Sequence, residues 1–584
     1  MGSGPGTRLA TTLRPLITRL LPWFPRLLLL AFLTPVLVGL AGTWLPAFGW
    51  FPALEQRSLS LAPWLELLHY PGTGTALRLS VLTGLGSSLL ALGATLLILM
   101  AFYPSRGFRR LEKLLAPILS VPHAAFAIGI GFLVAPSGWL VRWLAVLTGW
   151  PEYPPNWMTF KDPYGLSLML VLALKEIPFL LFMALASLPA LKVEKTLWLG
   201  ASLGYRPGKV WLTLIWPVLY GRLRLPFYAV VAFSLSVVDI ALIAGPTAPP
   251  TLAVMATRLF NDPDLLLRLP GAAAATTLLL VTVLSLAILY YLERPLRWLC
   301  LRLLSNGKRP RLRLGLRIWA SLVLIPGTFF YLGSLLVLIL WSFAGQWRFP
   351  GLWPDPFSSR TWVSAPERLL DPLWLTLSTG LSAAVIALVL VIGALENEVR
   401  LRQLKPGFTA QRLLWVVYLP LLVPQIAFLF GFQVSLAWLE LGGRWWVLVW
   451  SHLVFVLPYT FLTLSGPYRA YDERYTWVGL SLSGHRLATF WRIKLGQLWR
   501  PLGYTLATGF AVSVAQYLPT LFIGGGRFAT ITTEAVSLAS GSNRRSMAVY
   551  ALVQQLLPLI GFALALSLAA WRYRHHRALQ QSQT

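Results

Sequence analysis

The stretch WLGASLGYRPGKVWLTLIWPVL, residues 198–219, interrupts a Leu-rich chain with small residues, two basic residues and a closing proline. It could be a phosphate-binding loop, a plain connector or a docking surface. A phosphate-binding loop needs the pattern GxxxxGK[ST] after a strand, because the hydroxyl binds magnesium and the backbone amides face the phosphates. Here Gly204 and Gly208 are one residue too close, and Val210 replaces the hydroxyl. We therefore expect no nucleotide at this stretch.

The composition around this stretch is that of an integral membrane protein. Of 584 residues, 57% are hydrophobic and 12% are charged, whereas about a quarter of a soluble protein is charged. The single cysteine, Cys300, excludes an intrachain disulfide and a cysteine-based metal cluster. In a membrane chain the position of the basic residues matters more than the net charge of +29. We therefore expect membrane lipids, and no nucleic acid, as partners, and no metal site.

Twelve apolar runs are long enough to be transmembrane helices, each of which needs about 20 residues. We call them spans 1 to 12. They lie near 27–48, 79–103, 115–135, 165–187, 226–246, 271–292, 318–342, 372–395, 413–436, 446–466, 502–523 and 549–571. The predicted fold class is an all-α integral membrane protein with about 12 transmembrane helices.

The basic residues alternate between the loops and predict an orientation. The segment 294–317 carries no acidic residue and eight basic ones: Arg294, Arg297, Arg302, Lys308, Arg309, Arg311, Arg313 and Arg317. More follow spans 2 and 8: Arg106, Arg109, Arg110, Lys113, Arg400, Arg402, Lys405 and Arg412. The positive-inside rule places both chain termini and segment 198–219 in the cytoplasm. Orientation alone accounts for most of these basic residues.

Several short patterns occur twice in the same order. VPHAAFAIG at 121–129 recurs as VPQIAFLFG at 423–431, and segment 198–219 has a partner in VGLSLSGHRLATFWRIKLGQL at 478–498. The separations of matched residues are 302 from Pro122 to Pro424, 280 from Pro178 to Pro458, 279 from Gly204 to Ser483 and 277 from Ser236 to Ser513. A longer external loop in the first half explains the first value. The chain therefore divides into two six-span repeats, 1–305 and 306–584, which are parallel because each has an even number of spans.

The internal loops 190–223 and 468–500 are long for connectors in a compact bundle. Each is expected to form a short helix with a small-residue face, a break near Gly204 or Gly484, and a second short amphipathic helix. Small residues allow another backbone to approach closely. Apolar side chains beside them would form an exposed patch unless a partner covered it. A docking surface is thus favoured over a plain connector.

These loops resemble the cytoplasmic signature E-A-A-x3-G-x9-I-x-L-P of binding-protein-dependent ABC importer permeases. With Gly204 on the signature glycine, Leu214, Trp216 and Pro217 fall on the apolar, leucine and proline positions. The second copy departs from the pattern at three positions, and both copies lack the opening acid. In that copy the corresponding residues are Ser483, Ile493, Leu495 and Gly496.

Two fused six-span halves resemble the permeases of the ferric-iron and thiamine importer group. The resemblance implies that each loop is a coupling helix docked on one of two copies of a cytoplasmic ABC ATPase subunit. ATP and Mg²⁺ would bind to that partner, so this chain would be no enzyme and would hold no cofactor. The implied ATPase-coupling residues are Gly200, Ala201, Ser202, Leu203, Gly204, Leu214, Pro217, Gly479, Ser481, Leu482, Ser483, Gly484, Ile493, Leu495 and Gly496.

The resemblance also implies a location and a delivery route. A periplasmic substrate-binding protein would deliver a small solute, and the permease would pass it across the cytoplasmic (inner) membrane of a bacterium. The sequence does not distinguish iron, thiamine or another small solute. The longer external loop of the first half would make a docked binding protein sit asymmetrically.

Polar residues within the spans are candidates for the translocation pathway, because an ionisable group there costs ~2.5–3.5 kcal/mol on insertion scales. The candidates are Asp239, Gln516, His123, Gln425, Lys175, Glu176 and His452. One interpretation is that they line a pathway between the two halves. The alternative is that Asp239 neutralises Lys175 and that the other groups form hydrogen bonds between helices.

Two other function classes compete with the importer. A gradient-driven secondary transporter would couple to protons or sodium through intramembrane acids such as Asp239 and Glu176. The long duplicated internal loops disfavour it, because a secondary transporter docks nothing there. A membrane-embedded transferase or hydrolase would need converging His and Asp residues, of which the chain offers too few.

Overall fold

The structure, a computed structural model, describes residues 20–105, 108, 115, 118–307, 315–405, 411–541 and 543–573. In these segments the chain is helical and forms no strand. Ten described helices are long and apolar enough to cross a membrane, and two bent helix pairs raise the number of spans to 12. The predicted all-α membrane fold is confirmed. Residues 1–7, MGSGPGT, lie outside the described segments.

The helix bounds follow the apolar runs. In the first half the α-helices are Trp23–Ala47, Ala62–His69, Thr73–Phe102, His123–Val134, Trp139–Thr148, Leu166–Ser187, Val193–Ser202, Pro207–Ser236, Asp239–Ala244, Leu252–Phe260 and Arg268–Ser305. In the second half they are Leu316–Ser342, Arg360–Ser364, Pro366–Leu404, Gln411–Leu422, Ile426–Trp438, Trp445–Ala470, Arg474–Ser483, Arg486–Thr489, Leu495–Gln497, Trp499–Val514, Leu518–Gly524, Ile531–Ala539 and Arg544–Tyr573. Short 3₁₀ turns occupy Pro52–Leu54, Leu188–Leu191 and Leu265–Leu267.

Span 5 differs from its predicted bounds. It begins within the first internal loop at Pro207, whose fixed φ suits a helix start, and runs to Ser236. The second short helix expected in that loop is therefore not separate but is the beginning of the span. A π-helical segment, Trp211–Ile215, shifts the hydrogen-bond register just before Pro217, which has no N–H to donate. The second loop has its own π-helical segment at Phe490–Lys494.

Spans 5, 9 and 11 contain breaks within the described residues. Span 9 bends by 97° between Val416–Leu422 and Ile426–Trp438, and span 11 bends by 61° between Trp499–Val514 and Leu518–Gly524. Pro424 lies at the first bend, where its missing N–H removes a helical hydrogen bond. Span 5 ends at Ser236 and resumes at Asp239, although the predicted run 226–246 was continuous.

The first span of each half packs against the other half. Span 1 crosses span 9, where the Gly431 N–H donates to Thr43 Oγ1 at 3.1 Å. A Cβ on Gly42 would lie 2.6 Å from the Gly431 carbonyl oxygen, so the crossing requires glycine. At the matching crossing of spans 7 and 3, a Cβ on Gly129 would lie 2.7 Å from Ser334 Cβ. The two halves are thus interlocked in space.

Some predictions fall outside the described residues. They concern the basic residues Arg106, Arg109, Arg110, Lys113, Lys308, Arg309, Arg311 and Arg313. The orientation of the termini and the division into 1–305 and 306–584 stay predictions.

Candidate functional site

Each internal loop turns at a glycine with a left-handed backbone. In the first loop the helix Val193–Ser202 is followed by Gly204, with φ of +76°. In the second, the helix Arg474–Ser483 is followed directly by Gly484, with φ of +66°. This conformation costs a residue with a Cβ, so glycine is favoured at both turns. The left-handed turn of the second loop is therefore at Gly484, one residue after the position matched to Gly204.

One glycine of each loop packs against side chains of the same loop. A Cβ on Gly200 would clash with the Val210 side chain, and a Cβ on Gly479 would clash with Ile493 and lie 3.1 Å from Thr489 Cγ2. The space beside these two glycines is thus filled by side chains of the segment that follows in the same loop. Ala201, Ser202, Ser481 and Ser483 remain exposed.

Ser483 also has a local role. Its hydroxyl lies 2.9 Å from Thr489 Oγ1, and it accepts a hydrogen bond from the His485 N–H at 3.3 Å. These contacts hold the turn before the helix Arg486–Thr489. Of the remaining predicted coupling residues, Leu495 is buried, and Pro217, Ile493 and Gly496 are half-buried.

Large apolar side chains are exposed at matching places on both loops. Trp198 and Trp477 are 76% and 58% exposed, and Leu203 and Leu482 are 54% and 84% exposed. The members of each pair are 279 residues apart. The same separation relates two further exposed pairs: Leu199 with Val478, and Leu212 with Trp491. The structure thus presents the same apolar surface twice.

The sequence prediction included Leu203 and Leu482 in this surface but omitted the two tryptophans. Trp198 and Trp477 stand six residues before Gly204 and Ser483, at the place of the signature acid. The sequence therefore does mark these two exposed residues, because a tryptophan replaces the signature acid at the same place in both copies.

An aromatic contact holds the first loop to the end of span 2. Trp211, in the π-helical segment, is buried, and its ring lies edge-on to Tyr103 with centroids 6.2 Å apart. Tyr103 in turn packs edge-on against Phe108 at 5.5 Å. Val210 and Ile215 extend this apolar cluster.

An ionic cluster holds the second loop to the ends of spans 8 and 10. Lys494 is fully buried, and its Nζ lies 2.7 Å from Glu396 Oε2 and 2.6 Å from Glu473 Oε1. Tyr468 donates its hydroxyl to Glu396 Oε2 at 2.5 Å, and the Lys494 ammonium lies 4.8 Å from the Tyr468 ring centroid. A buried ammonium is costly unless opposite charges are close to it. Here two carboxylates and the face of an aromatic ring stabilise it.

The candidate pathway residues of the first half lie close together. His123 Nε2 is 3.8 Å from Glu176 Oε1, and the short helix that begins at Asp239 packs against the helices that carry both residues. Lys175 donates to the backbone carbonyl oxygens of Val121 and, at 3.4 Å, Ile118. No ion pair joins Asp239 to Lys175, so the alternative that Lys175 neutralises Asp239 is wrong. The Lys175 ammonium donates its hydrogen bonds to backbone carbonyl oxygens instead.

Three pathway candidates mark helix breaks. Asp239 follows the break in span 5, Gln425 lies at the bend of span 9, and Gln516 lies between the two helices of span 11. Irregular backbone at membrane depth is tolerated where it is buried in protein or lines a cavity. The helix Asp239–Ala244, which follows the break in span 5, packs against the helix Ile531–Ala539 of the second half.

His452 occupies a different position. It is buried in span 10, with Nδ1 at 2.8 Å from Ser513 Oγ and Nε2 at 3.0 Å from Thr520 Oγ1. Ser513 and Thr520 lie on opposite sides of the break in span 11. This placement favours hydrogen bonding between helices over an open pathway position for His452. Within the described segments, no three His, Cys, Asp or Glu residues come together as a possible metal site.

Comparison with known proteins identifies the family. No family model matches the chain. Over 523 residues it is 33% identical to the inner membrane ABC transporter permease protein YnjC of Escherichia coli K12, covering 89% of this chain and 92% of that relative. The chain belongs to the ABC transporter permeases. It is a transport subunit, not an enzyme, and a multi-pass inner membrane protein.

Shorter permeases match part of the chain. PhnV of Salmonella choleraesuis SC-B67, whose name proposes transport of 2-aminoethylphosphonate, is 25% identical over 266 residues, or 45% of this permease and 97% of PhnV. PhnV of Salmonella typhimurium LT2 is 26% identical over 238 residues, or 40% of this permease and 86% of that relative. A nearly complete PhnV thus aligns with less than half of this permease.

Proposed function

We propose that this permease imports a small solute delivered by a periplasmic binding protein, and that loops 190–223 and 468–500 dock two copies of a cytoplasmic ATPase subunit. The observation that supports docking is the duplicated apolar surface around Trp198 and Leu203 in one loop and Trp477 and Leu482 in the other. Single exposed apolar residues are ordinary, whereas here exposed apolar residues recur at the same four positions of both loops.

The repetition also suggests the form of the partner. Four exposed apolar positions recur at one separation of 279 residues, so the two loops offer equivalent surfaces. Two copies of one subunit would bind such a pair in the same way. In this arrangement ATP and Mg²⁺ bind to the partner, this chain holds no cofactor, and both of its termini are cytoplasmic.

We place the translocation pathway between the halves, near the helix breaks at Asp239, Gln425 and Gln516, with His123 and Glu176 on its first-half wall. In broken-helix transporters the substrate site lies at such interruptions near the bilayer midplane. The charged candidates are in the first half, and their counterparts Gln425 and Gln516 are neutral. A solute would therefore meet one charged wall and one uncharged polar wall.

A pull-down of the tagged permease from its native membrane tests the docking surface. Leu203→Asp combined with Leu482→Asp puts a charge into both apolar surfaces without touching the buried glycines. Leu404→Asp is the matched control, because Leu404 is also exposed, at 64%, but lies at the end of span 8. We expect wild type and the control to retain an ATPase subunit and the double variant to lose it.

The opposite result is equally informative. Folded wild-type permease that retains no ATPase in mild detergent would contradict the docking proposal. The gradient-driven alternative would then be tested through Asp239→Asn and Glu176→Gln.

A further inference from the structure

The two coupling loops are joined to their bundles at matching places by different chemistry. In the first loop the link to span 2 is the aromatic contact of Trp211 with Tyr103, beside polar contacts of Lys209 with Asn306 and of Arg222 with the Ser187 carbonyl oxygen. In the second it is the ion pair of Lys494 with Glu396, near the end of span 8. Spans 2 and 8 are the second spans of the two halves, and both links start from a π-helical segment. The position of the link is thus repeated, but its chemistry is not.

Lys494 has no charged counterpart in the first loop. The residue 279 positions earlier is Ile215, which is buried in the apolar cluster. Lys494 contacts three separate elements: Glu396 of span 8, Glu473 at the start of the loop helix, and the Tyr468 ring of span 10. Its ion pairs are short and screened little by salt, because the ammonium is fully buried.

The neighbouring charges extend this cluster along the same helix ends. Glu398 of span 8 accepts two hydrogen bonds from Arg469 of span 10, each of 2.9 Å, and pairs with Arg402 at 2.5 Å. Spans 8 and 10 are therefore tied to each other beside the point where Lys494 ties both to the loop. If the loop moved and these helix ends stayed in place, the buried Lys494 ammonium would be separated from Glu396.

We propose that Lys494 is a positioning residue that transmits movement of the second loop to spans 8 and 10, whereas an apolar contact does this for the first loop. The inference rests on the ATPase docking proposed above. An apolar contact can slide and repack at little cost, whereas a buried ion pair is directional and costly to separate. The two loops therefore transmit movement of the ATPase to the spans differently, although the apolar surfaces that they expose match.

Two spin labels on the permease alone test the ionic link. Cysteines replace Leu482 and Leu404 in a Cys300→Ser background, and pulsed EPR measures the distribution of distances between the labels. Lys494→Met alone would leave two carboxylates facing each other, so the test variant combines Lys494→Met, Glu396→Gln and Glu473→Gln. The matched control is Ile215→Met in the first loop.

We expect the triple variant to broaden the distribution while its melting temperature stays near that of wild type, and Ile215→Met to leave the distribution unchanged. An unchanged distribution in the triple variant would overturn the proposal. This measurement needs no ATPase, so it stands even if the docking proposal fails.

The complex with its co-purified ATPase tests transmission. Adding a non-hydrolysable ATP analogue should shift the distance between labels at Leu404 and Ser105, which report the ends of spans 8 and 2. We expect the triple variant to need about fivefold more analogue for the same shift, a size typical of coupling variants. A full shift at the wild-type concentration would refute Lys494 as the transmitting residue. Absence of the ATPase from wild type would count against the docking proposal alone.

Discussion

Asp162 fixes the start of span 4 through hydrogen bonds to a single carboxylate. Oδ1 accepts from the Tyr164 and Leu166 N–H groups at 3.1 and 2.9 Å, and Oδ2 accepts from the Ser167 N–H at 2.7 Å and its hydroxyl at 2.6 Å. Burial alone would raise the pKa of Asp162, but these hydrogen bonds outweigh it and lower the pKa below its ordinary value. The carboxylate therefore stabilises the fold in its charged form.

Asp162→Asn should lower the free energy of unfolding by about 2 kcal/mol at neutral pH, because an amide nitrogen cannot accept from Ser167. The pKa of the folded state is below that of the unfolded state, so the contribution is complete above about pH 4 and disappears as the pH falls through the folded-state pKa. Thermal unfolding in detergent at several pH values measures this. Asp264→Asn, which alters one exposed hydrogen bond to Leu266, is the control. A difference between wild type and Asp162→Asn that stays constant down to pH 2 would contradict the assignment.

At the level of helices, the spans could be predicted because a transmembrane helix needs a long apolar run, and such runs are visible in the sequence alone. The bend at Pro424 has a local cause, because proline cannot donate a backbone hydrogen bond. The sequence did not predict the break after Ser236, where Val237 and Val238 carry no helix-breaking signal. The contact of Lys494 with Glu396 was also invisible, because 98 residues separate the partners and only the packed fold brings them together.

The turns of the two loops give a prediction at this scale. Because the left-handed residue of the second loop is Gly484, Gly484→Ala should destabilise the turn by about 1 kcal/mol. Ser483→Gly, which restores the signature glycine, should bring no gain, because it removes the hydroxyl contact with Thr489. The rate of limited proteolysis within residues 468–500 measures both variants. Protection of the loop by Ser483→Gly would show that the turn follows the signature register instead.

At the scale of the whole molecule, the repeat seen in the sequence is not a pair of separate bodies. Span 1 crosses span 9 and span 7 crosses span 3, so each half is completed by a helix of the other. The sequence could not reveal this exchange, because hydropathy locates spans but says nothing about their neighbours. In the pathway proposed above, solute passes between the halves, and the two crossings would keep the halves joined.

The crossing of spans 1 and 9 should tolerate no side chain at Gly431. A Cβ on Gly431 would clash with the backbone of Gly39 and Thr43, which cannot rotate away as a side chain can. Gly431→Ala should therefore lower the free energy of unfolding by about 2 kcal/mol through overpacking. Gly93→Ala is the matched control: Gly93 lies in the helix of span 2 with nothing within 4 Å of its Cβ position, and the change should be neutral or stabilise by up to about 1 kcal/mol. Melting temperatures in the same detergent compare the two variants. Equal values would mean that the helices can separate at Gly431 without loss, and that the halves are held together elsewhere.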